Sequence, residues 1–287
     1  MLSALATTQS VLQTLRADWK TRFGFVYLKL KPQLLSDGRI DLTGQVLFAN
    51  QKKKILSELA KYSIDVVDHV EIAIEQLKWT WVKAATEVVA LREGCIATSR
   101  LWSEARAGEW LKLYLKHANF ALVESDDKTF GWVQCCDLVR AKPAEEPWTR
   151  PWFALSEHIP LTAKASLQQT TRQYLETPYL LGGKTTVGWD CSAFVQQVMW
   201  EVYGHLLPRH SWDQKNYGQA ISEAEIRPGD LVFALSLTKH TKHVGIYLGN
   251  EDIVHASRRA GKTVIWKLPL FEMIYQVVVV RRLTDRN

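Results

Sequence analysis

The 287-residue sequence holds no run of about 18 apolar residues, so no membrane-spanning helix is expected. Its opening, MLSALATTQSVLQTLRADWK, lacks a basic start followed by a continuous apolar stretch, and no secretory signal is read there. A cytoplasmic setting is therefore expected; a secreted or wall-associated one would need a signal trimmed from the chain. Cysteine is scarce. The four present, Cys95, Cys135, Cys136 and Cys191, show no CxxC spacing, which argues against a zinc site. Cys135 and Cys136 are neighbours that would point to opposite faces of a strand, so a vicinal disulfide is not expected, and reduced thiols fit a cytosolic home. No phosphate-binding loop or dinucleotide fingerprint occurs, and no cofactor or metal is expected. Of the basic residues behind the net charge of +6, only Lys52-Lys53-Lys54 forms a dense run. It falls in helical spacing and reads as a solvated helix face, so no nucleic-acid partner is expected.

What is present is ordinary globular material, 47% hydrophobic and 23% charged, long enough for two or three domains. Residues 1–80 hold a turn signal, Ser36-Asp37-Gly38, and then an alternating strand pattern over Ile40–Leu47. A helix with Ile55, Leu59 and Tyr62 on one face follows from Gln51 to Tyr62, and Ile64–Ile74 reads as a strand. The order helix–strand–strand–helix–strand resembles a BON domain, a likeness that implies a small α+β unit of the kind associated with envelope surfaces. Residues 81–142 read as strand-rich. Val88–Arg92, Ala107–Leu113 and the closing Phe130-Gly131-Trp132-Val133 resemble a bacterial SH3-like barrel, in which Trp132 would belong to the core. Residues 143–160 carry four prolines and read as a linker packed on one of the domains.

Residues 161–287 carry the chemistry. A helix is expected over Ala163–Leu175, ending before Pro178. A second is expected over Cys191–Tyr203, with Phe194, Val195, Val198, Met199 and Val202 as its apolar stripe and Gly204 as its C-cap. Strands are expected over Asp230–Leu235, His243–Leu248, Ile253–Ala256 and Val277–Arg281. A cysteine that opens a helix sits where unpaired N–H groups and a partial positive charge favour thiolate, and where the same N–H groups could hold an oxyanion. A histidine on a neighbouring strand would supply general base and acid. His243, which begins an apolar strand, suits this better than His240 in the polar loop before it.

Six phrases occur in order: Pro178-Tyr179-Leu180-Leu181-Gly182-Gly183, Asp190-Cys191-Ser192, Leu207-Pro208-Arg209-His210-Ser211, Arg227-Pro228-Gly229-Asp230-Leu231-Val232-Phe233, His243-Val244-Gly245-Ile246-Tyr247 and Val254-His255-Ala256. Together they resemble the NlpC family of bacterial cell-wall peptidases. The resemblance implies an α+β, papain-like fold in which a helix carrying the cysteine packs on an antiparallel sheet. It implies Cys191 as nucleophile, His243 as base and His255 as the residue that orients it. Tyr179 would help place the carbonyl or the oxyanion, Asp190 and Ser192 would grip a free amino terminus, and Arg209 and Ser211 would line the cleft toward substrate carboxylates. His210 reads as a cleft-edge residue. Ala193 and Leu181 depart from the family's usual Gly and Trp, which touches specificity more than activity.

The implied reaction is hydrolysis of the γ-D-Glu–diamino acid bond of murein peptides. An SH3-like unit beside this domain resembles members that recycle short peptides with a free N-terminal L-Ala, with Glu104 or Tyr114 as contacts from that unit. An anchored hydrolase of intact wall, an acyltransferase and a non-catalytic binding module are the alternatives.

Overall fold

The computed structural model describes residues 4–153, 155, 159–185 and 187–285. The first unit opens with helix Ala4–Phe23, which buries Leu12, Leu15 and Trp19 at helical spacing. Strands Leu28–Leu34 and Ile40–Val46 form an antiparallel pair, and helix Ala49–Ala60 returns the chain so that Val66–Ile72 runs parallel to the second strand. Ile55 and Leu59 of that helix close the core on Leu42, Val46 and Val70. This is the element order the sequence predicts. Lys52 pairs with Asp68 at 2.8 Å and Lys54 with Glu58, so two lysines of the basic run are tied to acids of their own unit.

The second unit is a seven-stranded antiparallel sheet that starts at Thr80, because Thr80–Ala84 lies between Trp110–His117 and Leu138–Arg140. Trp132 is buried, but it sits with Leu47, Cys95 and Leu122 in the seam against the first unit rather than in the sheet's own core of Val82, Val89, Leu91 and Leu111. The backbones of the two units meet in that seam. Cys95 N–H donates to the Phe23 carbonyl at 2.8 Å. A Cβ on Gly94 would lie 2.5 Å from Phe23 Cα.

The linker is packed, as its prolines and tryptophans suggest. Trp148 Nε1 donates to the Trp110 carbonyl, Trp152 bridges to Leu206, and Phe153 is buried in the core of the third unit. There the expected helix over Ala163–Leu175 is shorter, Leu167–Arg172, with Ser166 accepting from Gln169 N–H as its cap. Helix Cys191–Tyr203 has the expected bounds, and Gly204 ends it in the left-handed conformation at φ 71°.

Its stripe of Phe194, Val195, Val198, Met199 and Val202 is fully buried against Phe233, Val244, Ile246, Val254 and Ala256 of a sheet. Each such side chain contributes about 1.5–3 kcal/mol when fully buried, enough to fix the helix start relative to the sheet. The sheet is six-stranded and antiparallel, in the order Gln219–Ile221, Tyr275–Arg282, Leu231–Ser236, Lys242–Gly249, Asp252–Ser257 and Lys262–Lys267. Neither edge strand is anticipated from the sequence. Lys262–Lys267 alternates too weakly between lysines to read as one.

Gly94→Ala should force the Phe23 backbone away and cost about 1–3 kcal/mol, as overpacking does. Limited proteolysis should then cut near residues 24–27 before any other site; unchanged resistance there would contradict this account of the seam.

Candidate active site

The helix that carries Cys191 is started by Asp190, whose extended backbone and side-chain acceptance from Ala193 N–H at 3.0 Å make it the N-cap. Cys191 is the first helical residue and is 6% exposed. The backbone N–H groups of Val244 and Ser192 lie within reach of its sulfur. The resting arrangement opposes the thiolate expected at a helix N-terminus. Burial, and then the neighbouring Asp190 charge, push the thiol up to about 12, against the pull of those N–H groups and Arg209. The Asp190 cap takes the Ala193 N–H and offsets part of the positive end of the helix at the sulfur.

Val244 follows His243, so the strand that contacts the sulfur also carries the imidazole. His243 Nε2 lies 2.8 Å from His255 Nδ1 on the adjacent strand. Burial holds His243 neutral, down to about 3, and burial together with His243 holds His255 well below the ordinary range. Tyr275 stacks on His243 with ring centroids 4.4 Å apart and planes 10° from parallel. Phe271 lies 5.9 Å away from the His243 ring. His255 Nε2 is enclosed and has no hydrogen-bond partner among the described residues. Its ring stands 4.6 Å from Trp266 at 73° and 5.3 Å from Phe271 at 89°.

Behind Cys191 lies a buried ion pair. Arg209 donates from Nη1 to Asp190 Oδ1 at 2.8 Å and from Nη2 to Oδ2 at 3.0 Å. Its remaining donors go to Ser192 Oγ, the Gly183 carbonyl and Ser103 Oγ of the second unit, so all five guanidinium N–H groups are used. Burial alone would raise the Asp190 carboxyl, but Arg209 and the N–H groups of Ala193 and Gly182 hold it below the usual carboxylate range.

Arg209, expected to line the cleft, is 1% exposed and committed to Asp190. Asp190 and Ser192, expected to hold an amino terminus, are joined to each other and to Arg209. Their contacts are scaffold contacts. Ser211 is buried at the start of the short helix Ser211–Gln214. Tyr179 is half-buried, its backbone bridging Trp189, and within electrostatic reach of Cys191.

The second unit reaches this scaffold directly. Asp127 accepts from Lys184 Nζ at 3.0 Å and from Gln196 Nε2 at 3.2 Å. Glu104 accepts from Lys184 N–H, and Tyr114 donates to Glu124. Neither Glu104 nor Tyr114 is therefore left free as the substrate contact the sequence suggests. A Cβ on Gly182, at φ +86°, would lie 2.4 Å from the Leu101 carbonyl of that unit. Sequence reasoning misses Tyr275, Trp266, Ser103 and Asp127. Only the aromatic character of the first two gave any sign, since contacts across units leave no local spacing.

A cysteine opening a helix that packs on an antiparallel sheet, with two histidines in contact on adjacent strands of that sheet, defines the papain-like class of α+β folds. The NlpC/P60 family model matches residues 176–281. The probable endopeptidase NlpC of Escherichia coli K12 is 38% identical over 112 residues, covering 39% of this chain and 71% of that protein. The chain belongs to the NlpC/P60 family.

The murein DD-endopeptidase MepS/murein LD-carboxypeptidase of the same organism is 46% identical over 84 residues, 29% of this chain and 44% of its own length. A gamma-D-glutamyl-L-lysine dipeptidyl-peptidase of Bacillus cereus ATCC 10987 is 29% identical over 120 residues, 40% of this chain and 36% of its own. The chain spans about half the length of most curated relatives it matches.

Two outcomes test the electrostatics. Arg209→Met leaves a buried carboxylate without its cation and should cost about 3–5 kcal/mol, read as a large fall in Tm; a shift within error would show the pair to be dispensable. His243 and His255 have folded pKa values depressed below the ordinary 6.5, and His210 is pulled down to about 4 by burial and then by Arg209. The unfolded chain then takes up protons that the folded one refuses, so stability is full above the unfolded pKa and declines as pH falls below it. The decline should be about 1–2 kcal/mol per histidine between about pH 6.5 and pH 5. Thermal melts of wild type and of His243→Asn/His255→Asn should show a shallower slope in the variant; equal slopes would refute the assignment.

Proposed function

We propose that this protein is a cysteine peptidase that hydrolyses the γ-D-Glu–diamino acid bond of murein peptides, acting on short released fragments in their recycling. The observation that carries the reading is the 2.8 Å contact between His243 and His255 on the strands beside buried Cys191. The relatives named for γ-D-glutamyl and murein endopeptidase activity support it.

Because His255 occupies Nε2 of His243, Nδ1 is the nitrogen left for the thiol. To accept a proton at Nδ1, neutral His243 must carry its own proton on Nε2 and donate it to His255 Nδ1. His255 then carries its proton on Nε2, where the available acceptors are the π faces of Trp266 and Phe271. Resting thiol and imidazole are both neutral. His243 therefore takes the thiol proton as Sγ bonds to the carbonyl carbon. The tetrahedral oxyanion meets the backbone N–H groups at the helix start. Imidazolium returns its proton to the leaving amine as the C–N bond breaks, and water, deprotonated by His243, releases the acyl group and restores the thiol. Tyr275, stacked on His243, holds the ring in plane through the cycle.

A second reading, cleavage of a D-Ala–diamino acid cross-link, is favoured by the relative that is 46% identical. Mass spectrometry of products from L-Ala-γ-D-Glu-diaminopimelate and from a cross-linked dimer decides between them. Release of diaminopimelate from the tripeptide is expected; cleavage of the cross-link alone would move the activity to the second reading, and no cleavage of either would overturn both. Cys191→Ala should lose at least about 10³-fold in kcat. Trp266→Leu should lower kcat by about tenfold with KM little changed, and Trp266→Phe should recover most of it, since a π face is restored. Equal loss in both variants would show Trp266 to be packing only.

A further inference from the structure

A cavity of about 560 Å³, whose lining does not include Cys191, lies where the first unit, the second unit, the linker and the third unit meet. Its volume falls in the ordinary range for small-ligand sites. Trp102, Phe130, Trp152 and Tyr217 turn half-buried rings into it, contributed by the second unit, the linker and the third unit. His210 closes one side, its ring 4.2 Å from Trp102. Its Nε2 is enclosed and has no partner among the described residues. Asp213 stands exposed at the rim. The motif around His210 leaves it with no role in the peptidase chemistry.

Flat rings with polar groups at their edges suit one kind of ligand best. A pyranose has an apolar face of C–H groups that lies on an aromatic ring, and a rim of hydroxyl and amide groups that seek donors and acceptors such as Tyr217 Oη and the Asp213 carboxylate. A purely apolar ligand would leave the rim groups Tyr217 Oη and the Asp213 carboxylate unused. A charged peptide end would find no free countercharge deep in the cavity, where Arg209 is spent on Asp190 and Asp127 on Lys184.

One residue links the cavity to the reaction site. Arg209 lines the cavity and its guanidinium pairs with Asp190, the residue before Cys191. In a murein fragment the sugar precedes the scissile carbonyl by L-Ala and γ-D-Glu, a reach well beyond the roughly 7 Å of two α-linked residues, because the γ-linkage adds two methylenes.

We propose that this junction cavity binds the N-acetylated hexosamine of murein, so that the preferred substrate is a short fragment still carrying its sugar. The proposal rests on the peptidase reading above, and agrees with the internal commitment of Asp190 and Ser192, which leaves neither to hold a free amine.

The test uses the full chain. Calorimetry of Cys191→Ala with an N-acetylglucosamine trimer reads binding without turnover. Kinetics on L-Ala-γ-D-Glu-diaminopimelate and on its N-acetylmuramyl form read the preference. Saccharide binding is expected, with kcat/KM about tenfold higher for the muramyl form. Trp152→Ala and Tyr217→Ala, two variants on different units, should each bring that ratio toward one. Equal kcat/KM for both peptides with no saccharide binding would overturn the cavity assignment and leave the peptidase reading standing. If wild type cleaves neither peptide, the peptidase reading fails. Calorimetry then decides the cavity alone, trimer binding supporting it and its absence overturning it.

Discussion

The buried pair of Asp190 and Arg209 is the constraint on which the site depends. One carboxylate caps the helix, orders the Gly182 turn, and anchors a guanidinium that reaches Ser103 in another unit. A buried ion pair is a poor source of stability in itself, since desolvation offsets its attraction. It gives a fixed geometry, with every donor and acceptor assigned, from which the nucleophile projects. The charge has a cost at Cys191, because an anion beside a buried thiol disfavours a second anion. The proposed chemistry follows from this, with proton removal joined to attack rather than completed before it.

The histidines obey the same logic. Burial outweighs the Asp190 charge at His243, so they stay neutral and form a directional chain in which each proton position fixes the next. Aromatic rings surround this chain on the sheet side: Tyr275 lies flat on one imidazole, and Trp266 and Phe271 stand upright to the other. The two imidazoles are thus positioned by π surfaces.

The sequence carried the local parts of this account and missed the distant ones. Helix Cys191–Tyr203 could be read because its apolar spacing, its Asp N-cap and its Gly C-cap all lie within fifteen residues of one another. The strands of His243 and His255 showed as apolar runs. Arg209 was found but misjudged, since a motif reveals the residue type and not whether its charge faces substrate or a partner nineteen residues earlier. Tyr275 and Trp266 showed only their aromatic character and Asp127 nothing, because their contacts arise from strand order and from packing between units. The start of the second sheet at Thr80 was blurred for the same reason: Thr80–Ala84 is held by partners that follow it in the chain.

The crossing from Ser103, Glu104 and Asp127 to Arg209 and Lys184 bears on how such a protein can be rearranged. Modular hydrolases are commonly pictured as an autonomous catalytic head joined to exchangeable anchors. Here the middle unit supplies acceptors for cations buried under the nucleophile helix, so it belongs to the head. Exchange of that unit for another would have to preserve those acceptors, and recombination should therefore move the second and third units as one inherited block.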